Sequence, residues 1–155
     1  MAEQITYELI DNLYKIKKVT TDVLQWKDDT DSESNVIRRI FSMDLIADNG
    51  ALLNWFGYFQ SKRGISKHGF NLMYKKKYVV RSWDMGSLHK SHLEQRFIRG
   101  AGRHKHFFLN SMHEREVYEI PEGEISLVDP NQAVHDFADE CNIQIRFGYQ
   151  SEIFV

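Results

Sequence analysis

Val36 to Ala47, the tripeptide Asp48-Asn49-Gly50 and Ala51 to Gln60 constrain the fold more than any other stretch of this chain. Asn-Gly tolerates the positive φ angles of a tight turn, so the segment is expected to be a long β-hairpin. An antiparallel hairpin of that length needs further strands and a covered face. Gly69 to Tyr74 and Tyr78 to Trp83 supply the next pair, around Lys75-Lys76-Lys77. Three adjacent lysines fit a solvated tip, or a tip that faces a polyanion. His104 to Leu109 has the aromatic character of a strand returning to the sheet, and Ile143 to Tyr149 alternates as a last one.

Helices are expected toward each end. Ile5, Leu9, Leu13 and Ile16 recur at helical spacing within residues 3–16. Asp129 is placed to cap a second helix with Pro130 in its first turn, burying Val134, Phe137, Ala138 and Cys141. Between the first helix and the long hairpin, Lys17 to Trp26 is rich in β-branched residues, and Lys27 to Asn35 is acidic and loop-like. Glu119 to Asp129 is a turn-rich connection around Pro121 and Gly123. The expected class is α+β: one antiparallel sheet of about five to seven strands with an N-terminal and a C-terminal helix. With 155 residues, 42% of them apolar, the chain suits a single domain.

Leu88 to Arg99 has two readings. As a helix it stacks His89, His92, Arg96 and Arg99 on one face; as a strand it does not. In Trp55-Phe56-Gly57-Tyr58-Phe59, a strand puts Trp55, Gly57 and Phe59 on one face and Phe56 with Tyr58 on the other. One face is core, and the other is core or a stacking platform for bases. Gly57 marks a bulge or a close backbone approach. Trp26 and Trp83 are expected in the core or at its rim, and His68 and His135 carry no special role.

Charge is distributed unevenly. Lys62 to His106 holds twelve Lys or Arg, two acids (Asp84 and Glu94) and five of the seven histidines, about +10, while the other residues carry about −12. Such a segment attracts phosphates or an acidic protein surface. It could equally meet the acidic remainder of another copy in a homo-oligomer. Candidate contacts are Lys75, Lys76, Lys77, Arg81, His89, His92, Arg96, Arg99, Arg103 and Lys105.

His104-Lys105-His106 is the sharpest local motif, because residues i and i+2 of a strand share a face. One neutral and one protonated imidazole could serve as base and acid on an RNA 2′-hydroxyl and its leaving oxygen. The same pair could hold a divalent metal if His89, His92, His113 or Asp84 added a ligand. No cofactor is otherwise indicated. Arg99 and His104 have an Arg-x4-His spacing used on helices by some ribonucleases, but Gly100 and Gly102 make a helix there costly by roughly 2 kcal/mol. Their backbone better suits a loop that can approach a phosphate. No phosphate-binding loop, Gly-x-Ser-x-Gly elbow or paired-carboxylate motif is present, which argues against ATPase and serine-hydrolase classes. The single cysteine, Cys141, excludes an internal disulfide. With no apolar run near the roughly 18 residues of a membrane helix, a cytoplasmic protein with no membrane contact is expected.

From Tyr78 to Asn142 runs a further pattern: Arg81-Ser-Trp83-Asp84 at a strand end, His89-x-x-His92, His104-Lys-His106, and a helix ending Asp136-Phe137-Ala-Asp-Glu-Cys-Asn142. It resembles small bacterial families of largely unknown function, including TumE-like toxins of toxin-antitoxin pairs. The resemblance covers less than half of the chain. It carries over to Asp84, His104 and His106, and this chain departs from it by a longer basic insertion between Asp84 and the histidines. The resemblance implies a small cytoplasmic protein that acts on RNA as a ribonuclease-like toxin restrained by an antitoxin. The alternative is a non-catalytic phage or host-defence protein that docks a basic face on nucleic acid or on an acidic protein partner.

Overall fold

The computed structural model describes residues 4–29, 36–84, 89–91, 96–98, 104–107, 116–119 and 129–154. The chain is α+β, with one helix near each end and a mostly antiparallel sheet. Helix α1 spans Tyr7–Lys15 and helix α2 spans Pro130–Glu140. The thirteen described strands are β1 (Lys18–Thr20), β2 (Leu24–Gln25), β3 (Lys27–Asp28), β4 (Val36–Ala47), β5 (Leu52–Lys62), β6 (Ile65–Tyr74), β7 (Tyr78–Asp84), β8 (His89–Ser91), β9 (Arg96–Ile98), β10 (His104–Phe107), β11 (Glu116–Glu119), β12 (Ile143–Gln144) and β13 (Tyr149–Gln150). The main sheet runs β11-β10-β7-β6-β5-β4-β1-β12, with β3 also paired to β4. Of these nine strands, seven exceed two residues, and β1–β12 is the parallel pair of this sheet.

Strands β4 and β5 form the expected hairpin, closed by Gly50 at φ +84°. A second tight connection lies at Arg63-Gly64, both with positive φ, and joins β5 to β6. The lysine tip closes β6 onto β7, with Lys75 and Lys76 in the left-handed region. Near that tip the register shifts between Leu72 and Met73, so that Arg81 faces Leu72 while Val79 faces Met73. Val80 is the extra residue, and it lies in the core cluster.

Both helices cover one face of the sheet. On α2, Phe137 stacks on Trp55 at 6.0 Å and packs against Phe70 at 5.3 Å. Trp26, Phe41, Trp55, Phe70 and Trp83 continue this aromatic layer, with Phe41 edge-on to Trp26 and Trp55. Gly57 is the close approach expected of it: a Cβ there would lie 2.1 Å from the Phe41 ring. His68, expected to be ordinary, is instead buried at 2% exposure beside Trp83. Phe56 and Tyr58 lie on the opposite face and are half-buried.

Thr6 caps α1 by accepting from the Leu9 amide, so the helix begins after Ile5 and its fully buried pair is Ile10 and Leu13. Ile5, Leu9 and Ile16 pack at the edge of the core. Asp129 caps α2 through the Asn131 amide, and Ala133, Val134, Phe137 and Ala138 are buried. The last strand is divided: β12 pairs with β1, whereas β13 pairs with β2 beyond Gly148 at φ +95°. Tyr149 locks the second piece in place, its hydroxyl accepting from Trp26 Nε1 at 2.8 Å and donating to Asn131 Oδ1 at 2.5 Å. Burial pushes that phenol up to about 12.

Candidate functional site

Strand β10 lies between β7 and β11, and its register decides which residues meet. His104 is the Cα partner of Asp84 on one side and of Glu119 on the other. His106 is the partner of Ser82 and of Val117. Cα partners in an antiparallel sheet share a face, and so do residues two apart on one strand. Asp84, His104 and Glu119 therefore form one row, with Ser82, His106 and Val117 as the next row of the same face. The alternate positions, Trp83-Lys105-Tyr118 and Arg81-Phe107-Glu116, belong to the helix-covered face, where Trp83 is fully buried.

Neighbouring strands extend both rows. Asn71 is paired with Ser82 and with Phe56. Tyr58 is paired with Gly69, which precedes Phe70, the partner of Trp83. Gly69 matters because it leaves room: a Cβ there would be 2.8 Å from the Tyr58 hydroxyl and 2.7 Å from the Trp83 carbonyl oxygen. The Tyr58 ring thus crosses β6 toward the end of β7 where Asp84 lies. Ser82 is fully buried on this face, and among the described residues its Oγ has no hydrogen-bond partner. An unsatisfied buried hydroxyl costs on the order of 1–3 kcal/mol, and the indole Nε1 atoms of Trp55 and Trp83 share that state.

Among the described residues, Lys75 to Lys77, Arg81 and Lys105 do not form one patch with this face. Lys75 to Lys77 stand at the opposite end of β7, about 20 Å from Asp84 at the usual rise per strand residue. There Lys75 lies over the Tyr74 ring and Lys77 over the Tyr78 ring. Arg81 is on the helix-covered face, stacked on Tyr14 at 4.0 Å and paired with Glu140 at 3.7 Å. Its guanidinium is engaged in joining β7 to both helices, on the other side of the sheet from the histidine row. Lys105 also belongs to that other face by register. His89 and Arg96 lie on β8 and β9, a short antiparallel pair that packs against β11. The described parts of Leu88 to Arg99 are thus extended, and the helical stacking of its basic residues does not form there. His92, Arg99, Arg103 and His113 lie outside the described residues.

Glu119 and Ser82 were not distinguished by the sequence, whereas Tyr58 was placed with Phe56 on one face of an aromatic strand. Glu119 stands at the start of the turn-rich connection, and only the pairing of β11 with β10 brings it beside His104. Lys18 was also unmarked. It is fully buried, and its Nζ donates to the carbonyls of Tyr14 at 2.9 Å, Ile16 at 2.7 Å and Cys141 at 2.6 Å. These carbonyls come from the ends of both helices, where unpaired acceptors and the helix dipole favour a cation. Desolvation nonetheless pushes the ammonium down to about 8. With all three protons engaged, Lys18 is a structural clamp.

Among the described residues, no group of three or more His, Cys, Asp or Glu side chains is arranged to hold a metal, and no helix is long and apolar enough to cross a membrane. No family model, curated protein or solved structure matches the chain.

Proposed function

We propose that the protein acts on RNA as a metal-independent ribonuclease, with His104 and His106 as its acid–base pair and Asp84 beside His104. The register of β10 carries this reading, because it sets the two histidines on one face with a carboxylate residue directly opposite the first. That grouping supplies what transfer of a phosphodiester to a neighbouring 2′-hydroxyl requires: one group to accept a proton and one to donate it. The +10 segment supplies attraction for the phosphate backbone, with Lys75 to Lys77 as a separate outer contact. Phe56 and Tyr58, half-buried on the same face, offer aromatic surface for bases. A ribonuclease of this kind needs restraint in its own cell, which fits a toxin with an antitoxin seated on the histidine face.

The test is cleavage of a single-stranded RNA by the purified full-length chain in EDTA, with the products examined for 2′,3′-cyclic phosphate ends. Wild type is expected to cleave, and the double variant His104→Ala/His106→Ala to lose at least about a hundredfold. No cleavage, or equal cleavage by the double variant, overturns the proposal. Salt-dependent RNA binding without cleavage would instead favour a non-catalytic docking protein, for which the separation of the lysine tip from the histidine row is the supporting observation.

A further inference from the structure

We infer that the outer face of the sheet carries a pocket for one guanine base of RNA, in which Asp44 reads the edge of the base and the lysines of the β6–β7 turn hold its phosphate. That the base belongs to RNA rests on the proposed function. The chemistry of the pocket does not.

The pocket is a groove of about 500 Å³ across the ends of β4, β5 and β6. Small-ligand sites commonly span about 300–1,000 Å³ and combine apolar surface with a few placed polar groups. Here Ile46 and Leu52, Cα partners on β4 and β5, supply the apolar surface, and both are exposed, Leu52 to 67%. What distinguishes this pair from ordinary exposed aliphatic residues is the polar lining on either side.

On the β4 side that lining accepts hydrogen bonds and has no donor to spare. Asn54 commits its amide protons to Ser42 Oγ at 3.0 Å and to Asp44 Oδ1 at 3.4 Å, which leaves its own carbonyl oxygen to accept. Thr21 donates its hydroxyl proton to the Asp44 main-chain carbonyl at 2.9 Å. Asp44 is exposed, makes no ion pair among the described residues and, as a carboxylate, only accepts. On the β6 side the groove is lined by Lys75 and Lys76, both exposed. Two strand spacings, about 10 Å, separate β4 from β6.

A ligand that spans the groove is therefore anionic at one end, apolar in the middle and rich in N–H donors at the other end. A nucleotide has that order: phosphate, ring faces, base edge. An acidic peptide would satisfy the lysines but would set further acceptors against Asp44. Among the four bases, guanine presents two adjacent donors, N1–H and the N2 amino group, in the paired arrangement that a carboxylate accepts. Adenine and cytosine place a ring-nitrogen acceptor beside the amino group, and uracil flanks its single donor with two carbonyls. Each of these three turns a lone pair toward the carboxylate.

The groove also shares a face with the histidine strand. One row along from Asp44 and Asn54, register leads from Ser42 through Phe56, Asn71 and Ser82 to His106. Four strand spacings, about 20 Å, separate β4 from β10. A base held at Asp44 thus lies several nucleotides from the reacting phosphate, and it positions the strand that reaches the histidines.

The experiment is calorimetric titration of the full-length protein with GMP, AMP, CMP and UMP, with the methyl NMR signals of Ile46 and Leu52 followed in parallel. GMP is expected to bind at least about fivefold more tightly than the other three and to shift those signals. Asp44→Asn should bring the four affinities within about twofold of one another. Lys75→Ala/Lys76→Ala should weaken all four by a similar factor and keep the preference for GMP. Should Asp44→Asn fail to fold, Leu52→Asp, at an exposed position, should abolish GMP binding. Equal affinities, an unchanged preference in Asp44→Asn, or methyl signals that GMP leaves unmoved would each overturn the inference. Self-association that Leu52→Asp abolishes, or tighter binding of an acidic Glu-Leu peptide than of GMP, would assign the groove to a protein surface instead. An RNA oligomer with one guanine should bind His104→Ala/His106→Ala more tightly than GMP does, and weaker binding would make the ligand a free nucleotide. Because a mononucleotide holds no phosphodiester to cleave, GMP preference without RNA cleavage would reject the ribonuclease reading alone, and cleavage without GMP preference this inference alone.

Discussion

Lys18 donates to the carbonyl of Cys141 at 2.6 Å, tying the strand that follows the first helix to the end of the second. Its two other bonds go to Tyr14 and Ile16, so one ammonium closes the C-terminal ends of α1 and α2 together. Methionine has a similar length and no donor. Lys18→Met should therefore leave one buried and two partly buried carbonyls without this donor and cost about 3 kcal/mol of stability, measured by urea unfolding. A loss below about 0.5 kcal/mol would show that water replaces the ammonium there and that the clamp is dispensable.

The same lysine predicts a pH dependence. Its ordinary value is 10.5, and burial lowers it to about 8 in the folded chain. Below about 8 both states hold the proton, so the group adds no slope. Between about 8 and 10.5 the folded chain has released a proton that the unfolded chain still binds, and folded stability rises with pH from this residue. The measurement is unfolding free energy at pH 7.5, 9 and 10.5 for wild type and Lys18→Met. Wild type should gain relative to the variant across that window, and parallel curves would refute the depressed value.

Two glycines of adjacent strands should respond differently to alanine. At Gly57 the nearest atoms to the new methyl are those of the Phe41 ring, packed edge-on to Trp26 and Trp55, so the cost is core overpacking of about 1–3 kcal/mol. At Gly69 it meets the Trp83 carbonyl at 2.7 Å and the Tyr58 ring at 2.7 Å. A backbone oxygen cannot yield as a side chain does, so the strand spacing or Tyr58 must move beside Asp84. Gly69→Ala should depress RNA cleavage beyond what its loss of stability explains, whereas Gly57→Ala should lower stability with cleavage preserved. Paired urea unfolding and cleavage rates check this, and the reverse pattern would dissociate Tyr58 from the site.

Local signals were sufficient where structure is local. Asn49-Gly50 announces the β4–β5 hairpin, Asp129-Pro130 the start of α2, and the aromatic run after His104 the strand β10. Register is another matter. That His104 is the Cα partner of Asp84 is a matter of register between β7 and β10, and no pattern within either strand specifies it. Glu119 was hidden for the same reason, since the four residues of β11 become a strand by pairing with β10. His89 and Arg96 fit a helical stripe as well as they fit any strand, and the β8–β9 pairing decides between them. Lysine is ordinarily a surface residue, so nothing in Lys17-Lys18 distinguishes the buried member; only the convergence of two helix ends does.

The lysine tip provides a test of how binding and chemistry are divided. Lys75 and Lys76 are exposed in left-handed turn positions, and the tip lies a strand's length from the histidine row. Lysines that neutralise single-stranded phosphates each contribute about 0.7 to the slope of log affinity against log salt. Replacing Lys75, Lys76 and Lys77 with alanine should therefore reduce that slope by about 2 and weaken RNA binding most at low salt. The rate at saturating RNA should stay unchanged, because the substituted side chains are too far from His104 and His106 to touch the reacting phosphate. Surface changes of this kind also leave folding stability nearly unaltered. A triple variant that binds as wild type does would confine phosphate contact to the rest of the basic segment. One that binds normally yet cleaves slowly would place the lysines at the reacting phosphate, against the separation seen along β7.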